Sequence, residues 1–380
     1  MSEKHISASG DKRLVIKIGS STLTTSESTI DRNYLQNLAS QVAQIKLEGW
    51  QPIIVTSAAI ACGLESLGIK TRPHDMPSLQ AAASVGQASL STAYAEAFSA
   101  HGMITSSVLL TRRDTADRRA YLHARDTIFR LLEMGVVPIV NENDTVSVER
   151  IRFGDNDTLA ALVACLIEAD LMIILSDIDG LYDGNPKNDP SAKLISRVDV
   201  ITQDIIDVAD EAGTSSGTGG MITKIQAARA LAVAGIPMVI CQGRKDRVIV
   251  RAAHGEDVGT IFTARKKLHE VTPRKLWIAL GDSSRGKLTL DAGAKVALIK
   301  RGSSLLSVGV TAVEGNFDEG DVVDILDQTG HLFARGRVSA CSDEVELAIG
   351  KTRAELSRNR ILAELAVKPL IHRDELIVFE

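Results

Sequence analysis

Residues able to do chemistry cluster where apolar runs end. Lys17-Ile18-Gly19-Ser20-Ser21 closes the first such run. A lysine at a strand end can neutralise a phosphate, and glycine lets backbone N–H groups approach an anion. The competing reading is a lysine that only snorkels to the surface. Val55-Thr56-Ser57-Ala58-Ala59-Ile60 runs into small residues. These leave room for a ligand against the backbone or, equally, serve tight strand–helix packing.

The densest segment is Asn141-Glu142-Asn143-Asp144 followed by Phe153-Gly154-Asp155-Asn156-Asp157-Thr158. Asp155 or Asp157 is expected to cap a helix starting near Thr158. Capping uses one carboxylate, and the remaining carboxylates and amides suit a cation or an amino-acid ammonium group. Leu175-Ser176-Asp177-Ile178-Asp179-Gly180-Leu181-Tyr182 offers backbone and hydroxyl groups to a nucleotide, or makes a plain turn at Asp179-Gly180. A glycine-rich run from Gly213 to Gly220 leads through Met221, Ile222 and Thr223 to Lys224. Glycines feeding a helix N-terminus make an anion site. The run matches neither GxxxxGK[ST] nor GxGxxG, and a flexible linker is the alternative.

The elements that must hold these segments follow from hydrophobic periodicity. Apolar strands are expected at 14–18, 52–55, 104–110, 136–140, 171–175 and 236–240. Between them lie helical patterns such as Leu35, Leu38, Val42 and Ile45, or Ala124, Ile128, Leu131 and Leu132. A long Ala-rich helix is expected over 78–100. Apolar strands alternating with helices predict an α/β fold, a three-layer αβα sandwich around a mainly parallel sheet. Ligands bind such sheets beyond the carboxyl ends of the strands.

After Thr263 the character changes. Residues 264–301 carry ten Lys or Arg against three acids, and shorter glycine-punctuated runs follow at 305–308, 321–326 and 331–338. This predicts a small mainly-β module. The expected boundaries are a first domain over 1–264, a linker over 265–275 and a second domain over 276–380.

With 380 residues, 44% hydrophobic and 24% charged, the chain suits a soluble two-domain protein. A net charge of -5 and 3% aromatics argue against a whole-protein nucleic-acid binder. Cys62, Cys165, Cys241 and Cys341 are widely spaced and read as reduced core thiols. The opening MSEKHISASGDKR lacks the apolar stretch of a signal peptide, and no run of 18 apolar residues occurs. A cytoplasmic location without membrane contact is expected.

Taken in order, Lys-Ile-Gly-Ser-Ser, Val-Thr-Ser-x-Ala-Ile-Ala, Asn-Glu-Asn-Asp, Phe-Gly-Asp-Asn-Asp, Ser-Asp-Ile-Asp-Gly-Leu-Tyr and Gly-Thr-Gly-Gly-Met-x-Thr-Lys resemble the amino-acid kinase family, and within it the glutamate 5-kinases. The tail resembles a PUA domain. The resemblance implies the amino-acid kinase fold and an ATP-dependent phosphotransferase with a carboxyl group as acceptor. Its product is L-glutamyl 5-phosphate, at the first step of proline biosynthesis.

It further implies that Lys17, Lys224 and Asp157 are catalytic, with Asp157 holding the lysines. Ser57, Asp144 and Asn156 map to glutamate-binding positions, Asp144 facing the α-ammonium. Ser176, Asp177, Thr218, Gly219, Gly220, Met221, Ile222, Thr223 and Lys224, with Lys17, map to the nucleotide site. Mg2+ is expected on the ATP phosphates, with no protein ligand assigned. A homo-oligomer (dimer or tetramer), feedback inhibition by proline and handover to glutamyl-phosphate reductase are also implied. The family reads Ser-Gly-Ala-Ile where this chain has Ala58; if the position needs positive φ, alanine is strained there.

Two alternatives are carried forward. One is another amino-acid kinase acting on acetylglutamate, carbamate or uridylate. The other is an RNA-binding protein, given the basic 264–301 stretch. Against it, residues 314–346 hold nine acids and only two basic residues, Arg335 and Arg337.

Overall fold

The computed structural model describes residues 12–27, 29–111, 114, 117–146, 156–186, 188–211, 220–264, 273–280 and 284–379. The chain forms two compact units, Met1–Lys267 and Leu268–Glu380. Of the expected linker, residues 273–275 already belong to a helix, and 265–272 lie outside the described residues.

The first unit is built on eight strands: β1 (Lys12–Ile18), β2 (Trp50–Val55), β3 (Thr105–Leu110), β4 (Val137–Glu142), β5 (Leu171–Ser176), β6 (Arg197–Val198), β7 (Met238–Gln242) and β8 (Gly259–Phe262). They lie in the order β3-β4-β2-β1-β5-β7-β8-β6. Every pairing is parallel except β7 with β8. Short β6 and β8 were not anticipated, since neither carries a long apolar run.

Period-two alternation divides the strand side chains between two helical layers. Leu14, Ile16 and Ile18 of β1 join one core with Leu35, Leu38 and Val42 of α2 (Arg32–Leu47). That layer also holds α3 (Ala59–Ser66), α4 (Met76–Ser99) and a short helix over Val248–Ala253. Lys17 has the opposite parity and meets the other layer. That layer includes a helix at Asn156–Leu166, all of whose residues are buried, and another at Met221–Ala234. Continuous burial of β4 and β5 is what a sheet covered on both faces requires.

The crossing of α3 and α4 is unusually close. A Cβ placed on Gly63 would collide with the Ala82 carbonyl oxygen, and one on Gly86 with the Ala59 carbonyl oxygen. The Ala-rich composition of this stretch therefore reflects packing distance as well as helix propensity. Asp31 and Asp75 cap α2 and α4 by accepting from Tyr34 N–H and Ser78 N–H.

The second unit has a five-stranded sheet: β9 (Gly286–Leu290), β10 (Val310–Gly315), β11 (Val322–Leu326), β12 (Leu332–Arg337) and β13 (Leu376–Val378). Its order is β10-β9-β11-β12-β13, with β9 and β11 parallel and the other pairs antiparallel. Leu288, Leu290, Val323, Ile325 and Phe333 form its core. The strand expected at 305–308 is instead a bridge from Leu305 to Ile371 followed by a 3-10 turn at Ser307–Gly309. Leu305 is buried there because the bridge draws it inward, without any strand ladder. Among the described residues no helix is long and apolar enough to cross a membrane.

In this second unit Lys295 reaches Asp327 at 2.9 Å and lies 5.0 Å from the Phe333 ring centre. Asp327 is held well below the usual carboxylate range: partial burial pushes upward, and hydrogen bonds from Thr329 and Lys295 and from the N–H groups of His331 and Thr329 outweigh it. Such a depressed group stabilises the fold above its unfolded value of about 3.9, and the contribution vanishes as pH falls through the folded value.

Two outcomes follow from this packing. Gly86→Ala lowers stability by about 1–3 kcal/mol in urea unfolding, because the methyl meets backbone with no side chain to yield. Asp327→Asn lowers Tm at pH 7, and the gap to the parent closes as the pH is taken below about 4. A constant gap down to acid pH would count against the Asp327 argument.

Candidate functional site

β1 and β5 are adjacent and parallel, yet after β1 the chain continues to β2 on one side and after β5 to β6 and then β7 on the other. This divergence opens a crevice beyond their carboxyl ends. Gly19 N–H donates to the Leu175 carbonyl at 3.2 Å and ties the two strand ends together. Gly19 has an ordinary φ of -72°, so no strained turn demands a glycine. An added Cβ would sit 3.7 Å from Leu175 O and 4.0 Å from Lys17 Nζ. The missing side chain keeps clear the space beside the lysine.

Three side chains converge there from three elements. Lys17 points off β1, Asp157 lies in the first turn of α6 (Asn156–Leu166), and Lys224 lies in the first turns of α8 (Met221–Ala234). Here α5 is Arg118–Glu133 and α7 is Gln203–Glu211, α1 being the single turn Ser20–Leu23. Lys17 Nζ is 2.5 Å from Asp157 Oδ1, and Lys224 Nζ is 3.1 Å from Asp157 Oδ2. The Asp157 side chain is 0% exposed and each lysine side chain 6%.

Buried charges are tolerated only when paired, and losing one partner of such a group costs about 3–5 kcal/mol. These three groups still carry one net positive charge, placed at the N-terminal ends of α6 and α8, where helix dipoles add to it. The arrangement is made to receive an anion. Thr223 completes it: its hydroxyl lies 2.8 Å from the Gly220 carbonyl and 3.2 Å from Asp157 Oδ2.

Beside the cationic group lies a polar one. Asn156 Nδ2 donates to the Thr56 carbonyl, to Ser57 Oγ at 2.9 Å and to Asn141 Oδ1 at 3.1 Å. Asn156 Oδ1 is buried and meets no hydrogen-bond partner among the described residues. Asn141 and Glu142 are the buried last residues of β4, which runs two residues beyond the expected 136–140 strand; the parallel ladder carries them inward. Asp144 stands two residues beyond, half-buried in the following turn. Asp157 is likewise no exposed cap, since its helix begins at Asn156 and is buried throughout.

On the far side of the crevice, Ser176 closes β5 and its hydroxyl donates to Asp177 at 3.1 Å. Gly243 N–H donates to the Ser176 carbonyl at 2.8 Å. Gly220 is the N-cap of α8, with Met221, Ile222 and Thr223 in its first turn. Thr218 and Gly219 lie outside the described residues, as do Phe153, Gly154 and Asp155. Gly213 to Gly217 spells Gly-x-Ser-x-Gly, but it follows helix α7, not the strand a hydrolase elbow needs.

Several participants escaped the sequence reading. Thr56 is fully buried, and its hydroxyl is 2.8 Å from Tyr94 Oη. Lys245 pairs with Asp179 at 3.0 Å. Arg244 pairs with Asp31 at 2.8 Å and donates to the carbonyls of Thr22 and Thr24, pinning the turn after β1. Burial raises the Asp31 carboxyl, but the Tyr34 N–H and Arg244 outweigh it and hold it below its ordinary value. Of these, Arg244-Lys245, placed shortly after the apolar run that ends at Cys241, carried a signal that could have been read. Burial lifts the Cys62 thiol to about 11 and Cys241 to about 12, so neither is a nucleophile at neutral pH.

The position that departs from the expected glycine is strained. Ala58 has φ 76° and ψ 9°, left-handed backbone at the N-cap of α3, and is 8% exposed.

Comparison with known proteins shows the family of both units. Residues 12–242 match the amino acid kinase family, and residues 286–359 match the PUA domain. The glutamate 5-kinase of Caldanaerobacter subterraneus subsp. tengcongensis is 44% identical over 97% of this chain and 98% of its own length. That of Chromobacterium violaceum is 46% identical over 96% and 97%, and that of Geobacter sp. (strain M21) 44% identical over 97% of each.

The strain at Ala58 has a measurable signature. Left-handed backbone costs a non-glycine residue about 1–2 kcal/mol. Ala59 is also buried, but in ordinary helical backbone. In denaturant unfolding Ala59→Gly therefore costs about 1–2 kcal/mol, and Ala58→Gly fares at least about 1 kcal/mol better, neutral or stabilising. Equal losses at the two positions would show that Ala58 carries no strain.

Proposed function

The chain belongs to the amino acid kinase family, and we propose that the crevice binds ATP against L-glutamate and transfers the γ-phosphoryl group to the substrate's side-chain carboxylate. The product is L-glutamyl 5-phosphate, which opens proline biosynthesis. The observation that carries this reading is the buried Lys17–Asp157–Lys224 group at the switch point of the sheet.

The chemistry asks for such a group. A glutamate side-chain carboxylate has an ordinary pKa of about 4.3 and is ionised at neutral pH, so no general base has to remove a proton. The obstacle is repulsion between that anion and the polyphosphate. During transfer the bond from the γ-phosphorus to the bridging oxygen breaks, a bond to the carboxylate oxygen forms, and ADP leaves with the electron pair. Negative charge spreads over the transferring oxygens, and cations fixed in advance lower the barrier.

Lys17 stabilises the transferring group from the β1 side, and Lys224 neutralises charge towards the β- and γ-phosphates from α8. Asp157 binds both lysines and fixes their separation. Ser57, Asp144 and Asn156 hold glutamate, Asp144 taking the α-ammonium. Ser176, Asp177 and the start of α8, with Thr218 and Gly219 before it, hold the nucleotide.

Mg2+ fits as a passenger on the nucleotide. Asp157 is engaged by two lysines, and among the described residues no trio of His, Cys, Asp or Glu side chains is grouped to hold an ion. When bound it neutralises charge on the phosphate oxygens. A dimer or tetramer, feedback inhibition by proline and handover of the labile product to a reductase accompany this reading as family implications. The acetylglutamate, carbamate, uridylate and RNA-binding alternatives are not favoured, since relatives named glutamate 5-kinase align along nearly the whole chain.

The test is formation of an acyl phosphate from L-glutamate, ATP and Mg2+, trapped as the hydroxamate. The parent chain gives robust activity, and Lys224→Ala lowers kcat about 100- to 1,000-fold while remaining folded by circular dichroism. Full activity in that variant would remove Lys224 from the mechanism. No hydroxamate from the folded parent would overturn the substrate assignment.

A further inference from the structure

The polar group beside the lysines continues away from the crevice. Asn141, 1% exposed, accepts from Asn156 Nδ2 through Oδ1 and donates through Nδ2 to Gln87 Oε1 at 2.9 Å. Gln87 sits in α4, and its own Nε2 points to Ser91 Oγ at 3.2 Å and Ser107 Oγ at 3.5 Å. Three carboxamides thus form a directed chain running from the α4 layer, past the end of β4, to the first residue of α6.

Direction matters because a carboxamide has one accepting and one donating end. Gln87 presents oxygen to Asn141, so Asn141 turns its NH2 that way and its oxygen towards Asn156. Asn156 then turns its NH2 towards Asn141, Thr56 and Ser57, leaving Oδ1 as the end with no partner among the described residues. A buried acceptor without a donor costs free energy until a ligand supplies one. L-Glutamate has two carboxylates, which only accept, and a single donor, its α-ammonium.

We propose that Gln87 is a positioning residue for substrate recognition: through Asn141 it fixes the carboxamide of Asn156 so that Oδ1 faces the α-ammonium of the amino-acid substrate. This rests on the reading of the crevice as a glutamate site. Were Asn141 reversed, its NH2 would confront that of Asn156. Asn156 would then be driven to flip and turn its NH2, a donor, to the ammonium that Oδ1 has to receive, with only the Thr56 carbonyl and Ser57 hydroxyl opposing the flip. Gln87 acts at a distance, touching Asn141 and not the substrate.

The experiment compares Gln87→Met, which deletes the acceptor, with Gln87→Glu, which keeps an acceptor for Asn141. Hydroxamate assays on the full chain give KM for glutamate, KM for ATP and kcat. Glutarate, which lacks the ammonium, is measured as a competitive inhibitor. Gln87→Met raises KM for glutamate about three- to tenfold, leaves kcat and KM for ATP within twofold, and leaves Ki for glutarate unchanged. Gln87→Glu behaves as the parent. Should Gln87→Met fold poorly, Gln87→Ala, favourable in a helix, takes its place.

A parallel loss of glutarate binding, an unchanged KM for glutamate, or a Gln87→Glu variant as impaired as Gln87→Met would each overturn the proposal. No glutamate turnover by the parent chain would overturn the functional reading itself, and this inference with it.

Discussion

A carboxylate that sees no water and grips two ammonium groups is the constraint around which the first unit is organised. Asp157 cannot be buried alone, and neither lysine can be buried without it. Lys17 arrives from the centre of the sheet, Asp157 from a helix buried throughout and Lys224 from the start of another. Each element must reach its position for the other two to be tolerable. This ties the fold's cooperativity to the same few atoms that the proposed reaction sets against the phosphates. It also accounts for an apolar α6 that carries its polar residues only at the first turn, where the dipole accepts a negative charge.

The other half of the crevice is set by distance rather than charge. Thr56, Ser57 and Ala58 turn the chain from β2 into α3, and α3 lies so close to α4 that glycines are required at Gly63 and Gly86. That closeness brings Tyr94 under Thr56 and Gln87 under Asn141. A left-handed alanine in this turn is held by packing on both sides, as strained residues at functional sites commonly are. Geometry around Thr56, Ser57 and Asn156 therefore depends on helix–helix contacts that hold no reactive group.

Much of this was legible in the residues. Six parallel strands announced themselves as apolar runs, and the segments holding Lys17, Ser57 and Ser176 fell at their carboxyl ends, as the chemistry of open sheets demands. The departure at Ala58 could be flagged, but only backbone angles showed φ to be positive. Gln87 and Tyr94 were not read as part of the site, because their roles come from layers that meet only after folding. Gln87 in an Ala-rich helix looks like an ordinary surface amide. The 305–308 segment misled for the opposite reason: its leucines are apolar enough for a strand, but a bridge to Ile371 and a tight turn bury Leu305 without a ladder.

The place of β1 in the sheet has a consequence for the nascent chain. It is flanked by β2 on one side and β5 on the other, and β5 spans Leu171–Ser176. During synthesis β2 follows β1 quickly, but the second edge waits until β5 has left the ribosome, on the order of 10–30 s later at typical elongation rates. Through that interval Leu14 to Ile18 offer an apolar strand with unpaired backbone groups along one side. Slower translation between residues 60 and 170 lengthens the exposure of an edge that ends at Lys17 and Ile18.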